Sequence, residues 1–251
     1  MRIKKQWIFT DSIEVEEGYT GRYGAPGMPR QKKRKATPEE IKKINQYNRE
    51  KLIRRLIKEN FSLYDYWATL TYEKGKRPTP QEMKKDTQKA IRKIRSEYRK
   101  NGHELKYIIR MGIGERGGPH IHILVNRISG PEYGTDIILT KCWERGHVYF
   151  TTTYEYGGFR KLANYIAKPL EEWEPETLKR YTRSRNLTIP KPKVKKWKAD
   201  RWKEAKAPDG WYIEKETFQE GINPVTGKRY RHYIMFKVEG GNKSCMRSTC
   251  T

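Results

Sequence analysis

The chain has 251 residues, enough for one large domain or a domain with a substantial appendage, and its 55 Lys and Arg against 30 Asp and Glu give a formal charge of +25. Because so large a charge opposes a compact fold, we expect a polyanionic partner, and nucleic acid is the usual one. No apolar run approaches the roughly 20 residues of a membrane-spanning helix, and the three cysteines contain no CxxC pair, which argues against a membrane partner, a disulfide framework and a structural zinc cluster.

Residues 1–60 are interpreted as a basic N-terminal arm followed by a helix. Residues 18–35 are rich in Gly, Pro and basic side chains, which is typical of a loop or arm. The "TPEE" stretch that starts at Thr37 has a capping-box pattern and predicts the helix start. Apolar residues then follow at roughly helical spacing, namely Ile41, Ile44, Leu52, Leu56 and Ile57. The N-terminus lacks the apolar core of a signal peptide, so we expect a cytoplasmic protein of a bacterial host.

Residues 61–175 are predicted to form the main domain. "YWATLTYE" (66–73) has the composition of a strand, and "TPQE" (79–82) starts a second helix that ends at Gly102. The apolar stripe of this helix comprises Met83, Ala90, Ile91, Ile94 and Tyr98. Two β-rich runs around a glycine turn then predict a hairpin, and "GHVYFTTTYEY" and "GGFRKLANYIAK" predict another strand and another helix. This order predicts an α+β fold in which helices pack on the face of an antiparallel sheet.

Two histidines lie in the second strand of the predicted hairpin, "PHIHILV" (119–125). Because side chains alternate along a strand, His120 and His122 share one face and can converge on one ion. Glu115 is the nearest carboxylate, and it lies opposite His120 if the turn comprises residues 116–119. A three-residue turn would put Glu115 on the other face unless a bulge intervened. The alternative is a pair of structural histidines with satisfied hydrogen bonds.

The last predicted helix of the domain carries a tyrosine that core packing does not explain. At about 100° per residue, Tyr165 and Lys168 lie on one side, outside the apolar stripe. That stripe comprises Phe159, Leu162, Ala163 and Ile166. A half-buried tyrosine at the edge of an amphipathic helix is the alternative interpretation.

Taken in order, three short motifs give the chain a family resemblance. They are "WATLTY" (67–72), the histidine-hydrophobic-histidine motif in "PHIHILV" (119–125), and "YIAK" (165–168). With them the chain resembles the HUH endonucleases, in particular the single-tyrosine replication initiators of rolling-circle plasmids, phages and small circular single-stranded DNA viruses. The family often takes its third metal ligand from further upstream than Glu115, so the chain departs from the pattern at that residue.

The resemblance implies a mechanism and a set of partners. His120, His122 and Glu115 would hold Mg²⁺ or Mn²⁺, and Tyr165 would attack a phosphate of single-stranded DNA at a replication origin. The products would be a 5′-phosphotyrosine link and a free 3′-hydroxyl, with Lys168 assisting ionisation or stabilising the developing charge. Since no GxxxxGK[ST] phosphate loop is present, we expect a host helicase and a host polymerase as partners.

Residues 176–251 are predicted to be a basic, aromatic-rich extension that packs on the core. The stretch 180–212 combines Lys and Arg with Tyr and three Trp, as expected for a surface that lines a path for DNA. A solvated, charged linker is the alternative. Residues 210–238 predict a pair of strands around "NPVTG", and the last residues predict a loose tail.

Other functions were weighed against the initiator. Within the superfamily, the chain could be a single-tyrosine transposase or a relaxase, although relaxases favour a third histidine and a tyrosine near the N-terminus. A 2H phosphoesterase would need a second His-x-Ser/Thr element, and the remaining histidines supply none. A non-catalytic nucleic-acid-binding protein with structural histidines is the alternative from a different class.

Overall fold

A computed structural model describes residues 1–20, 35–153, 159–198, 202–223 and 227–238. The chain divides into two compact units. The terminal unit comprises Met1–Glu40 and Pro190–Thr251, and the central unit comprises Ile41–Ile189. The two ends of the chain therefore share one unit, whereas we predicted three consecutive regions with boundaries near residues 60 and 175.

The described residues form eleven strands and four helices. In chain order they are β1 (Arg2–Ile8), β2 (Ser12–Tyr19), α1 (Pro38–Asn60), β3 (Tyr66–Thr71), α2 (Pro80–Lys100), β4 (Tyr107–Ile113), β5 (Pro119–Val125), α3 (Thr135–Cys142), β6 (Val148–Thr152), α4 (Phe159–Ala167), β7 (Thr182–Arg183), β8 (Lys193–Trp197), β9 (Trp211–Ile213), β10 (Gln219–Ile222) and β11 (Arg229–Lys237). Among the described helices, none is both long and apolar enough to cross a membrane.

The central unit is built on a five-stranded antiparallel sheet in the order β6-β3-β5-β4-β7. One face packs against α2 and α3 in a large apolar cluster that includes Ile121 and Ile123 of β5. On the opposite face, Trp67, Ile108 and Leu124 are cross-strand neighbours and pack with apolar residues of α1 and α4. The predicted α+β class, an antiparallel sheet with helices on its face, is confirmed.

Both predicted capping boxes are present. The Thr79 hydroxyl accepts the N–H of Glu82, and the Glu82 carboxylate accepts the N–H of Thr79. Thr37 and Glu40 exchange the same pair of bonds at the start of α1. The stripe predicted for α2 is also confirmed, since all five of its residues are buried. Local hydrogen bonding therefore determines where both helices begin.

The stripe predicted for α1 is wrong in its first half. Leu56 and Ile57 are buried, but the buried side is centred on Ile53, and three of the predicted residues are exposed, namely Ile41, Ile44 and Leu52. At about 100° per residue, Ile53 points between Leu56 and Ile57, and the three exposed residues point away from that direction.

The terminal unit holds a second antiparallel sheet in the order β10-β11-β2-β1-β8, and β9 also pairs with β11. The predicted pairing of two strands within residues 210–238 is confirmed by β10 and β11. The hairpin of β1 and β2 was not predicted, although "SIEVEEGY" alternates apolar and acidic residues as a strand does. Most of the predicted basic arm (18–35), part of "NPVTG" and the predicted tail lie outside the described residues.

Candidate active site

The register of the β4–β5 hairpin decides which side chains face the histidines. Ile113 pairs with Pro119, so the turn has five residues, 114–118, and Gly117 adopts the left-handed conformation with φ of 76°. His120 is therefore opposite Gly112, and His122 is opposite Arg110. The predicted register, with Glu115 opposite His120, is wrong because the turn is one residue longer than assumed and starts earlier. Glu115 lies in the turn and is exposed.

The two histidines share the sheet face that is opposite the α2 and α3 side, and their ring centroids are 4.8 Å apart. Nδ1 of His120 lies 3.1 Å from the carbonyl oxygen of Gly118. Since a carbonyl only accepts, Nδ1 carries the proton and leaves Nε2 as a potential ligand atom. Nδ1 of His122 lies 2.9 Å from Oγ1 of Thr69, a hydroxyl that can accept the same kind of bond. Both imidazoles are thus oriented as metal-binding histidines usually are.

His122 is held in an apolar environment. Its ring stacks on the indole of Trp67, with centroids 5.1 Å apart and planes 9° apart. Burial lowers the pKa of His122 to about 3, and the positive charges of His120 and Arg110 lower it further. The imidazole is therefore neutral at physiological pH, which is the form that binds a metal ion.

Tyr165 is brought next to the histidines by α4. The apolar side of this helix is buried, as predicted, and Tyr165 is 39% exposed at its edge. The phenol ring lies 5.2 Å from the ring of His122 and 5.9 Å from that of Trp67, nearly perpendicular to both. The structure thus places the predicted tyrosine and the predicted histidine pair around one half-open space.

Lys168 directly follows α4. Its backbone N–H donates to the carbonyl of Tyr165 over 3.3 Å, and its half-exposed ammonium group forms an ion pair with Glu171. Lys168 therefore lies one turn beyond the tyrosine, as the motif spacing predicts. The ammonium group has to leave Glu171 before it can reach a substrate.

Arg110 is a residue of this site that sequence reasoning missed. It is 4% exposed, and its guanidinium group donates to the carbonyls of Ile166, Lys168 and Pro169 over 3.3, 2.6 and 3.2 Å. Its Cζ lies 5.6 Å from the centroid of the Tyr165 ring. Arg110 thus ties the end of α4 to the histidine face of the sheet. A charged residue inside the apolar run of β4 was the available signal.

Glu174 was also missed. It is 8% exposed, its Oε1 accepts the N–H of Ile113 over 3.1 Å, and its Oε2 accepts the N–H of Glu171 over 2.9 Å. Oε2 also lies 3.7 Å from Arg110 Nη2. No local pattern distinguishes Glu174 from the other acidic residues of "EEWE", because its burial depends on contacts with β4.

A different group of potential metal ligands occurs in the terminal unit. Among the described residues, the ligand atoms of Glu14, Glu16 and His232 lie within 4.8 Å of one another, and Nε2 of His232 is 2.9 Å from a carboxylate oxygen of Glu14. Within the same described part of the chain, the central unit has no such group of three. Its site offers the histidine pair and a carboxylate that is not yet within that distance.

The predicted DNA path, residues 180–212, is only partly described, because residues 199–201 are outside the described part. Trp202 is surrounded by three guanidinium groups at 5.0–5.4 Å, those of Arg2, Arg229 and Arg231. Its indole N–H donates to the hydroxyl of Tyr19 over 3.0 Å. Trp202 therefore packs within the terminal unit, and a role of the wider segment in DNA binding stays a prediction.

A comparison with known families agrees with this location of the site. Residues 65–171 match the model of a family of replication-associated proteins of the ORF2 type. The central unit is similar to a replication-associated protein. The matched residues include Trp67, His120, His122 and Tyr165, so the match supports DNA replication as the process and DNA as the partner. No curated protein and no solved structure gave a match.

Proposed function

We propose that the chain is a replication-initiator endonuclease that nicks single-stranded DNA at an origin through a tyrosine nucleophile. The observation that supports this proposal is the half-exposed phenol ring of Tyr165, 5.2 Å from the neutral imidazole of His122. It is strengthened by the match of the surrounding residues to a replication-associated family. The net charge of +25 suits the binding of a polyanion.

In the proposed reaction the phenolic oxygen of Tyr165 attacks the scissile phosphorus. A tyrosine–phosphorus bond forms and the bond from phosphorus to the 3′ oxygen breaks. The phenol loses its proton, and the 3′ oxygen gains one, so that a 5′-phosphotyrosine and a free 3′-hydroxyl result. A host polymerase can extend that hydroxyl, and a host helicase would separate the strands. The ammonium group of Lys168 would stabilise negative charge on the phosphate once released from Glu171.

The donor atoms of the site fit a divalent ion. His120 and His122 would hold Mg²⁺ or Mn²⁺ through Nε2, and Glu115 is the oxygen ligand predicted from the sequence. When bound, such an ion polarises the scissile phosphate and offsets the charge that develops on it. Two imidazoles also suit zinc, but this chemistry needs a hard ion with open coordination positions.

A cleavage assay tests the proposal. Single-stranded DNA from the non-coding region next to the gene, labelled at its 3′ end, is incubated with the protein and Mn²⁺ and run on a denaturing gel. We expect a labelled protein–DNA adduct at one site, no adduct with EDTA, and no adduct with Tyr165→Phe, which should still bind DNA. Tyr149 is a matched control, because it is 60% exposed and shares the histidine face through its cross-strand neighbour Thr69.

The two variants separate the proposal from simple binding. Tyr149→Phe should form the adduct as the unmodified protein does. A non-catalytic nucleic-acid-binding protein would bind the DNA and form no adduct in any variant, and that result would contradict the proposal.

A further inference from the structure

We propose that Glu174 supplies the carboxylate oxygen that completes the metal site of His120 and His122. This inference rests on the proposed function, because it assigns a ligand to the ion that the reaction uses. It replaces Glu115, the ligand predicted from the sequence, with a residue that lies 54 positions downstream of His120 in the printed sequence.

The first argument is the position of the carboxylate. The residue opposite His120 on β4 is Gly112, which has no side chain. A Cβ atom on Gly112 would lie 2.8 Å from Nε2 of His120 and 3.1 Å from Oε1 of Glu174. The space that a side chain of β4 would fill thus brings the ligand atom of the imidazole and a carboxylate oxygen together.

The second argument is the way the carboxylate is held. Oε2 of Glu174 accepts the N–H of Glu171 and faces Arg110, whereas Oε1 accepts the N–H of Ile113. A carboxylate oxygen can accept more than one bond, so Oε1 retains capacity for an ion. Buried groups held by surrounding hydrogen bonds make better ligands than side chains on exposed turns, because less conformational freedom is lost on binding. Glu115 is exposed in the 114–118 turn.

Binding of Mn²⁺ to the full chain tests the inference without any DNA. The free ion is measured by electron paramagnetic resonance, and the site of interest is defined as the binding that His120→Gln abolishes, which excludes the group in the terminal unit. We expect Glu174→Gln to raise the Kd of this site by at least about tenfold, and Glu115→Gln to change it by less than about twofold.

A matched control addresses the general cost of removing a buried carboxylate. Glu17 is 9% exposed and pairs with Lys4 in the terminal unit over 3.8 Å. Glu17→Gln should leave the Mn²⁺ affinity of the site unchanged. If Glu174→Gln also leaves it unchanged, or if Glu115→Gln lowers it more, Glu174 has only a structural role and the inference is wrong.

A second measurement uses the unmodified protein and therefore does not depend on a variant that folds. Fe²⁺ is bound in place of Mn²⁺, and ascorbate with hydrogen peroxide then cleaves the chain next to the ion. We expect fragments with ends near His120 and near Glu174. Cleavage that spares residues 171–175 would overturn the inference. A missing DNA adduct in the unmodified protein would instead contradict the proposed function, since both metal measurements are independent of nicking.

Discussion

Gly112 lies directly opposite His120 on the neighbouring strand, and the lack of a side chain there leaves room for the imidazole. We predict that Gly112→Ala weakens Mn²⁺ binding by about tenfold, because the added Cβ would lie 2.8 Å from Nε2 of His120 and displace the ring. The free energy of unfolding should change little, since the end of a side chain moves rather than the backbone. Mn²⁺ titration and urea unfolding measure the two quantities.

Gly118 of the same hairpin is the control for that substitution. A Cβ on Gly118 would have no heavy atom within 4 Å. Gly118→Ala should therefore keep the Mn²⁺ affinity of the unmodified protein. Equal affinities for both variants would show that the space beside Gly112 does not limit the position of His120.

Arg110 is predicted to position the nucleophile. Arg110→Lys keeps the charge beside Glu174 but cannot reach the three carbonyls at the end of α4 with its single ammonium group. We expect kcat for DNA cleavage to fall by about 10- to 100-fold while the Kd for Mn²⁺ stays within about twofold. Amide hydrogen exchange in residues 159–169 should also become faster, which reports the loosened helix independently of catalysis.

Arg231 provides the matched control for this prediction. It is 4% exposed, with Nε 2.9 Å from Glu220 and Nη1 2.9 Å from the carbonyl of Lys203 in the terminal unit. Arg231→Lys should lower stability without changing kcat per folded molecule. An equal decrease of kcat in both variants would mean that Arg110 acts only through stability.

The exposed edge strand β8 is predicted to contact DNA phosphates. Lys195 is directly opposite Lys4 of β1, and like charges in that position repel unless an anion binds near them. We expect Lys195→Gln to weaken binding of single-stranded DNA and to reduce the slope of log K against log salt by about 0.7. Lys100→Gln, which removes a lysine that is paired with Glu97, should leave the slope unchanged. An unchanged slope for Lys195→Gln would remove β8 from the DNA path.

Features that depend on local pattern were predictable from the sequence. Capping boxes and helical periodicity located α2, and strand composition with a glycine turn located the β4–β5 hairpin. Alternation along β5 put His120 and His122 on one face, and periodicity put Tyr165 outside the core of α4. These signals need only residues within a few positions of one another.

Features that depend on contacts across the chain were not predictable. The hairpin register required the length of the turn, which neighbouring residues alone do not determine, so Glu115 was assigned to the wrong position. The β1–β2 hairpin is part of a sheet whose other strands come from the C-terminal third of the chain. Arg110 and Glu174 acquire their surroundings only when β4 meets the end of α4.

The identity of the residue that carries the DNA tests the central claim most directly. The adduct formed with Mn²⁺ is trimmed by nuclease, digested with protease and analysed by mass spectrometry. The account predicts a nucleotide linked through phosphate to the peptide that contains Tyr165, and no such peptide with Tyr165→Phe. A nucleotide on another residue, or cleaved DNA without any linked peptide, would contradict it.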